Sequence, residues 1–543
     1  MRECGVLMPV SSLPGPYGIG SFGKQAYAFV DFLAQAGQQI WQILPLSPTG
    51  YGDSPYQSCS AFAINPYFID LDTLREEGLL EKEEYGTIDW GESPEAVDYG
   101  ALYEGRFTVL RQAYARFQAW LPDDYYTFCF WNEDWLEDYA LYMTAKGLNK
   151  MKAYPEWPAP LRTRQPQALE QLRAEHAEEE ELGFWRFLQY QGYRQWMALK
   201  AYANDKGVQI LGDIPIYVAA DSADAWAGGK LFQVDEEGKL TRVAGCPPDY
   251  FSEDGQLWGN PLYDWPQHKA SGYAWWIRRV EHALTMYDRL RIDHFRAFDT
   301  YYAIPAGREN ARVGDWEYGP GMDLFRALEA KLGKLPIVAE DLGDLFDSVR
   351  VLLKESGYPG MKVMQFAFGG TPENEYLPHN HIPNCVVYPG THDNTTLRDW
   401  LKNGDPKELA RAKNYLGLNA MEGSVRGFLR GVLSSCANLA VIPMADWLEL
   451  GAEGRINTPG TGMGNWTWRA KEDAFAPALA QRIRRTCARY GRCAPLPEPE
   501  ETRPVVPVKK SAQKEEPAET AAKAPAAQTA EAAQKAAAKA EKE

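Results

Sequence analysis

The stretch MYDRLRIDHFRAFD, residues 286–299, contains the unit that decides the fold of this chain. Its first half is an apolar-rich run of the kind that forms a buried strand. Its last nine residues, RIDHFRAFD (291–299), place an aspartate, a histidine and two arginines at the end of that run. Charges in such a place belong either to an ordinary polar loop or to a functional site, and the rest of the chain decides between the two.

The same unit recurs through residues 1–493. Eight apolar runs are each followed by a polar cluster, and they occupy 5–10, 40–46, 208–218, 288–293, 335–341, 361–368, 385–390 and 439–444. Helix-like stretches lie between several of them, at 24–37, 188–206, 271–285, 322–332 and 345–355. Strands that alternate with helices predict a parallel sheet, and eight such units predict an α/β fold of the closed (β/α)8 (TIM) barrel type. An open doubly wound sheet is the alternative, but the chain lacks a Gly-rich dinucleotide-binding turn.

Two gaps between the runs are longer than a simple crossover needs. About 160 residues separate the second run from the third. This gap holds acidic, Trp- and Tyr-rich helical sequence, which predicts an inserted helical subdomain at about 70–200. The segment 245–265 is rich in Pro, Gly and aromatic residues, and we interpret it as an aromatic loop that covers substrate at the barrel mouth.

Composition and charge exclude several classes of partner. The chain has 543 residues and a net charge of −17, which argues against nucleic acid or an anionic membrane as the partner. No apolar run is long enough to span a membrane, and the first residues do not resemble a signal peptide. The 18 Trp, 30 Tyr and 21 Phe indicate either rings that stack on a ligand or a large aromatic core.

The eight cysteines are dispersed, with no CxxC pair and no Cys/His cluster at zinc spacing. This pattern is typical of reduced thiols in a cytoplasmic protein, and we expect no metal and no cofactor. The segment 494–543 differs from the body, since it has no aromatic residue and is rich in Pro, Ala, Lys and Glu. Such a composition buries too little apolar surface to fold, so we predict a disordered tail.

Carboxylates stand at the ends of four of the predicted strands: Asp213, Asp293, Glu340 and Asp393. One acid after a strand is commonly a helix cap. Several acids at the same end of a barrel are expected to converge, because the catalytic residues of barrels come from the carboxyl ends of different strands. Paired carboxylates with different proton affinities are what cleavage of a glycosidic bond requires.

The neighbours of these acids fit such chemistry. Arg291 lies two residues before Asp293, so both side chains point to one face of the strand, and a guanidinium there favours the ionised carboxylate. His294 and His392 could donate hydrogen bonds to sugar hydroxyls. A structural hydrogen bond at a strand end is the other interpretation of each histidine.

Eight motifs in order make the sequence similar to one known family. They are SSLPGPYGIGSFG, WQILPLSPTGYGDSPYQSCSAFAINPYFIDL, LGDIPIYVAADSADAWA, PPDYFSEDGQLWGNPLY, RIDHFRAF, AEDLG, PGTHDN and INTPGTGMGNWTWR. Over nearly all of residues 1–493 the chain resembles the 4-α-glucanotransferases, the amylomaltases or disproportionating enzymes of glycoside hydrolase family seventy-seven in the α-amylase clan.

The resemblance implies a role for each matching residue. Asp293 resembles the family nucleophile, Glu340 its general acid and base, and Asp393 its stabiliser of the transition state. The residues implied to bind substrate are Ser54, Tyr56, Asp213, Tyr250, Phe251, Gln256, Trp258, Arg291, His294, His392, Asn465 and Trp466. Among them Tyr56 matches an aromatic platform beside the cleavage point, and Tyr250, Phe251 and Trp258 match a mobile acceptor loop.

The implied reaction is a retaining double displacement on α-1,4-glucans and maltooligosaccharides, with another glucan or glucose as acceptor. We expect the aromatic loop at 245–265 to exclude water from the intermediate, so that transfer competes with hydrolysis. Two alternatives remain open at this point. One is an α-glucan hydrolase with the same acids, and the other is a glucan-binding protein without catalysis.

Overall fold

The computed structural model describes residues 2–50, 52–176, 181–248, 253–343 and 345–494. One compact unit covers Met1–Leu496. The predicted disordered tail, apart from Ala494, lies outside the described residues.

In the part of the chain that is described there are twelve strands: β1 (Glu3–Leu7), β2 (Ile40–Gln42), β3 (Gln209–Pro215), β4 (Arg242–Cys246), β5 (Gln256–Pro261), β6 (Arg289–Asp293), β7 (Thr300–Pro305), β8 (Asp315–Tyr318), β9 (Ile337–Ala339), β10 (Gly360–Val363), β11 (Cys385–Tyr388) and β12 (Leu439–Pro443). Eight of them close into a barrel in the order β1-β12-β11-β10-β9-β6-β3-β2. All neighbours pair in parallel. The predicted (β/α)8 barrel is therefore confirmed, and each of the eight apolar runs overlaps one barrel strand.

The barrel strands are apolar because both of their faces are covered. β11 and β12 read CVVY and LAVIP, and every residue of both strands is buried. Parallel sheets are covered on one side by the packed barrel interior and on the other by helices, so their strands read as continuous apolar runs rather than alternating ones.

Eighteen α-helices occur within the described ranges: α1 (Lys24–Gln35), α2 (Leu71–Glu76), α3 (Tyr99–Phe117), α4 (Asp123–Trp131), α5 (Glu133–Leu148), α6 (Ala159–Arg162), α7 (Pro166–Glu175), α8 (Glu181–Asp205), α9 (Ala223–Ala227), α10 (Trp265–Ala270), α11 (Ala274–Met286), α12 (Met322–Leu332), α13 (Asp347–Ser356), α14 (Leu397–Asn403), α15 (Pro406–Leu416), α16 (Ser424–Ser434), α17 (Met444–Trp447) and α18 (Pro477–Arg489). Side-chain caps start several of them; Asp98, for example, accepts a hydrogen bond from the N–H of Ala101 at the start of α3.

Seven helices, α2 to α8, lie between the second and third barrel strands, where the sequence predicts the helical insertion. Their core is aromatic. Phe117 of α3 packs on Phe187 of α8 with ring centres 4.8 Å apart, and Tyr125 of α4 lies against both Phe117 and Tyr190. Much of the aromatic content of the chain is therefore core.

A second sheet stands beside the barrel, with the order β5-β4-β7-β8 and antiparallel pairing. The prediction of a loop at 245–265 is wrong for residues 245 and 246, which end strand β4, and for Gln256–Pro261, which forms strand β5. The sequence did not indicate this strand because its sheet is completed by β7 and β8, which follow the next barrel strand and are distant along the chain. β4 and β5 follow β3, and β7 and β8 follow β6, so this sheet extends from the carboxyl end of the barrel.

The barrel closes where the two ends of the compact unit meet. Glu3 of β1 lies in register with Leu439 of β12. Just after α18, the guanidinium of Arg492 donates to the carbonyl oxygens of Glu3 and Ser435, and the residue is fully buried. No helix among the described residues has the length and apolar character needed to cross a membrane.

Candidate active site

A single arginine joins two of the predicted acids. The register of β3 and β6 places Asp213 beside Arg291. One guanidinium nitrogen of Arg291 lies 2.6 Å from Asp213 Oδ2, and the other lies 2.8 Å from Asp293 Oδ1. The side chains of Arg291 and Asp213 are 3% and 0% exposed, whereas that of Asp293 is 30% exposed. The buried pair of Arg291 and Asp213 therefore holds the carboxylate of Asp293, which is open to a ligand, in place.

Glu340 follows β9 directly and lies beside the end of β6. Its N–H donates to the carbonyl of Ile292, and its own carbonyl accepts from the N–H of Phe295, both at 3.1 Å. Its carboxylate accepts hydrogen bonds from the N–H groups of His294 at 2.7 Å and Leu342 at 2.8 Å. These contacts fix the carboxylate next to the strand that carries Asp293.

The protonation of Glu340 differs from that of an ordinary glutamate. Burial, and next the negative charge of Asp293, raise the pKa of Glu340 to about 7. The Arg291 charge and the two backbone N–H groups act in the opposite direction. Glu340 can therefore carry a proton near neutral pH.

His294 connects the strand end to the second sheet. Its backbone is left-handed, with φ of 55°, and this turn directs its N–H toward Glu340. The indole of Trp258, on β5, meets its imidazole edge to face with ring centres 4.8 Å apart. Burial lowers the pKa of His294 to about 3, so the ring is neutral and can donate only one hydrogen bond.

Asp393 lies on the loop after β11 and is held from a segment late in the chain. The amide of Asn457 donates to Asp393 Oδ1 at 2.7 Å, and Nε2 of His392 lies 3.4 Å from Asp393 Oδ2. The backbone N–H of Asn457 also donates to the carbonyl of His392 at 3.1 Å. Asn457 was missed by the sequence reasoning, although it lies in the quoted motif INTPGTGMGNWTWR.

Three rings form a wall next to these acids. Tyr56 stacks on His392 with ring centres 5.2 Å apart, and Trp466 lies 5.8 Å from Tyr56. The hydroxyl of Tyr56 donates to Asp213 Oδ2 at 2.8 Å, which ties this wall to the Arg291 cluster. Flat rings fixed in this way suit the face of a sugar.

These elements surround a cavity of about 800 Å³. The lining includes Asp293, Asp393 and seven of the residues predicted to bind substrate: Ser54, Tyr56, Gln256, Trp258, His294, His392 and Trp466. Asp213 and Arg291 lie behind the lining. The lining residues that the sequence reasoning missed include Tyr217, Asn260 and Asn457.

Besides Asp213 and Arg291, two predicted residues that the structure describes are not part of the lining: Glu340, which lies beside the end of β6, and Asn465. The side chain of Asn465 bonds within its own loop, accepting from the N–H of Thr458 at 2.9 Å and donating to the carbonyl of Thr461 at 2.9 Å. It lines a neighbouring depression instead. Tyr250 and Phe251 lie outside the described residues.

The site combines the exposed carboxylate of Asp293, the carboxyl group of Glu340, which can hold a proton, and the carboxylate of Asp393, which is fixed by the amide of Asn457. This difference in proton affinity is the requirement for acid-assisted cleavage of a glycosidic bond. Within the described ranges, no group of three or more His, Cys, Asp or Glu residues is arranged to hold a metal ion.

Comparisons with known proteins agree with this chemistry. The profile of glycoside hydrolase family 77, the 4-alpha-glucanotransferases, matches residues 8–474. The chain is 46% identical to the 4-alpha-glucanotransferase of Clostridium butyricum over 488 residues, covering 90% of this chain and 100% of that protein. It is 48% identical to the Streptococcus pneumoniae 4-alpha-glucanotransferase, covering 89% of this chain and 96% of that one. The structure of the Streptococcus agalactiae amylomaltase in complex with acarbose matches with a TM-score of 0.88 at 41% identity, covering 91% of this chain and 100% of that one.

Proposed function

Since this chain belongs to the 4-alpha-glucanotransferase family, we propose that Asp293 is its nucleophile, Glu340 its general acid and base, and Asp393 its stabiliser of the transition state. The enzyme transfers a segment of an α-1,4-glucan to the 4-hydroxyl of an acceptor glucan or of glucose. The observation that carries the assignment is the arrangement around Arg291: Asp293 is hydrogen-bonded to it and open to the cavity, while the pKa of the adjacent Glu340 is raised to about 7.

In the first half of the reaction, Asp293 attacks the anomeric carbon of the donor sugar. The bond to the leaving glucan breaks, and its oxygen takes the proton of Glu340. A covalent glucosyl-enzyme results, with Arg291 held between Asp213 and Asp293. Asp393, fixed by Asn457, faces the positive charge that develops on the sugar ring.

In the second half, the 4-hydroxyl of the acceptor attacks the same carbon. Glu340, now ionised, takes the proton of that hydroxyl, and the bond to Asp293 breaks. The two displacements together retain the α configuration. The products are a glucan lengthened by the transferred segment and a shortened glucan.

The donor sugar is proposed to lie between the ring wall and the acids. Tyr56, His392 and Trp466 would contact its face, and the neutral His294 would donate to a hydroxyl. Gln256 and Trp258 of β5 would lie on the acceptor side, with the indole N–H of Trp258 donating to Gln256 Oε1 at 3.1 Å. Tyr250 and Phe251 remain proposed acceptor residues by resemblance alone.

The direct test is incubation with maltotriose and separation of the products by length over time. Glucose together with a ladder of longer glucans is the expected result. Only shorter sugars, with reducing ends that increase in number, would identify a hydrolase, an alternative that the comparisons do not favour. Maltotriose that is bound but unchanged would contradict the catalytic assignment.

We also propose a cytoplasmic location. The buried thiols of Cys4 and Cys487 lie 3.5 Å apart and share a hydrogen bond, and both cysteines are free of disulfides. Paired thiols at this distance persist in reducing compartments and oxidise in others. Protein isolated under acid quench and then denatured should yield eight thiols to an alkylating reagent, the number of cysteines in the chain.

A further inference from the structure

The strand β5 bulges where it enters the catalytic cavity. Leu257 lies opposite Gly245 of β4, and Pro261 lies opposite Val243, so four steps along β5 stand against two steps along β4. The additional residues of β5 lie between these pairs, where Gly259 has a left-handed backbone with φ of 76°. Bulges interrupt the ladder of backbone hydrogen bonds and re-aim side chains, and they are frequent beside active sites.

The bulge contributes Trp258 and Asn260 to the cavity lining, but the sheet gives it little support. Among the described strands, β5 is at the edge of the order β5-β4-β7-β8, so β4 is its neighbour in this sheet, and the bulge interrupts the pairing with β4. Contacts of side chains therefore determine where the bulge lies. One is the edge-to-face contact of Trp258 with His294, and the others belong to Asn260.

The side chain of Asn260 is bonded from two loops that follow barrel strands. Its Nδ2 donates to the carbonyl of Val218, after β3, at 2.8 Å. Its Oδ1 accepts from Nε2 of Gln57, after β2, at 3.0 Å, and its Nδ2 also donates to Gln57 Oε1 at 3.4 Å. Asn260 is 5% exposed. Both hydrogens and the oxygen of this buried amide therefore have partners outside the second sheet.

Gln57 is itself held independently of β5. Its N–H donates to the carbonyl of Ser54 at 3.1 Å, which closes the turn that contains both residues. The adjacent Tyr56 donates to Asp213 Oδ2 and stacks on His392. This loop therefore keeps its place when the amide pair is removed, whereas the bulge of β5 loses one of its supports.

We propose that Gln57 and Asn260 are positioning residues that fix the indole of Trp258 for binding of the acceptor. Without their amide pair, the bulge occupies other positions for part of the time. The apparent affinity for the acceptor then falls in proportion to the fraction of molecules in which the indole is in place. This inference rests on the proposed function, since Trp258 is assigned there to the acceptor side.

The test measures transfer from maltotriose to labelled glucose at varied concentrations of glucose. Gln57→Met keeps the length of the side chain and removes its hydrogen bonds, so it should raise KM for glucose by about two- to tenfold and change kcat far less. Asn260→Ala should raise this KM at least as much. The double variant should have the KM of Asn260→Ala alone, because Gln57 acts through Asn260.

The matched control is Gln209→Met, which should leave KM for glucose as in wild type. Gln209 is the first residue of β3 and does not belong to the cavity lining. Its Oε1 accepts a hydrogen bond from Arg289 at 2.9 Å, so this variant also removes an amide bond between neighbouring segments.

Three outcomes would overturn the positioning role. Effects that multiply in the double variant would show that Gln57 contacts the sugar itself. A higher KM for maltotriose at saturating glucose, with KM for glucose unchanged, would place the effect at Tyr56 instead. An unchanged KM for glucose in Gln57→Met is decisive by itself, even where the buried Asn260→Ala fails to fold. A wild-type protein that forms no labelled longer glucans would instead contradict the proposed function, so the two failures are distinguishable.

Discussion

The side-chain amide of Asn457 donates a hydrogen bond of 2.7 Å to Asp393 Oδ1. Asn457 also holds the carbonyl of His392 through its backbone N–H. Asn457, which follows the last barrel strand, β12, therefore fixes Asp393, which follows the seventh barrel strand, β11.

Replacement of Asn457 by alanine should lower kcat for maltotriose disproportionation by about 10- to 100-fold, since a hydrogen bond to a charged group is worth ~1.5–3 kcal/mol. KM should change less, because the bond orients Asp393 for the transition state. The control is Asn403→Ala: the amide of Asn403 donates to Asp399 Oδ1, also at 2.7 Å, on the exposed helix α14. Equal effects of the two variants on kcat would contradict a positioning role.

Transfer should depend on a proton at Glu340, whose pKa is raised to about 7. The acid form is present below that pH and is lost above it. We expect kcat/KM for maltotriose to be level on the acid side and to fall about tenfold per pH unit above pH ~7. A profile that stays level to pH 9 would contradict the assignment.

The acid role of Glu340 has a second test that does not rely on pH. Glu340→Gln should lose most of its activity on maltotriose, whose leaving oxygen needs a proton. With α-glucosyl fluoride as donor the leaving fluoride needs none, so formation of the glucosyl-enzyme should be affected far less. Loss of the same size with both donors would exclude Glu340 as the acid.

Replacement of Arg291 by lysine should lower activity, because the guanidinium of Arg291 bonds to two carboxylates at once. An ammonium group is one point of charge and cannot reach Asp213 and Asp293 together, so the buried Asp213 loses its partner. The hydrogen bond to a charged group that the nucleophile loses is worth about 1.5–3 kcal/mol, so Arg291→Lys should lower kcat/KM by about 10- to 100-fold. Arg289→Lys is the matched control. Arg289 lies on the same strand but does not line the cavity, and its two terminal guanidinium nitrogens each lie 2.7 Å from a carboxylate oxygen of Glu3. Similar losses in both variants would indicate a general defect of β6.

Asp446 should make the fold less stable at alkaline pH. Its side chain is buried in α17 and accepts a hydrogen bond of 2.7 Å from the backbone N–H of Leu397. Burial raises the pKa of Asp446 to about 7. A raised carboxyl pKa means that the folded state retains the proton more strongly than the unfolded state. The stabilisation is therefore complete below pH ~4 and is lost as the pH rises to about 7.

The variant that tests this is Asp446→Asn, which keeps the oxygen and removes the titration. The measured quantity is the thermal midpoint of Asp446→Asn minus that of wild type. This difference should be about 2 °C larger at pH 8 than at pH 5, which corresponds to ~2 kcal/mol for a folded unit of this size. The exposed Asp347→Asn, in the first turn of α13, is the comparison. A difference that is the same at both pH values would show that Asp446 does not titrate in this range.

The barrel and its acids could be predicted from the sequence because both depend on local pattern. Each barrel strand is a short apolar run, and Asp213, Asp293 and Glu340 lie in or directly after such runs. The strand β5 could not be predicted in this way, because its partner β4 is paired on the other edge with β7, which is distant along the chain. The role of Asn457 was missed for the same reason, since its partner Asp393 is distant along the chain. Asn465 was expected at the cavity, but its amide forms bonds within its own loop.

The seam between β1 and β12 determines when this enzyme can first be active during its synthesis. The first strand emerges from the ribosome early, and one of its hydrogen-bonding edges has its partner only at Leu439–Pro443. A nascent chain that ends before this point carries an open sheet with two unpaired edges, which are prone to associate with other chains. Asn457, which fixes Asp393, follows later still. Catalytic competence therefore requires that synthesis has passed both β12 and Asn457, and the shorter nascent chains, with their unpaired edges, are the ones that chaperones would protect.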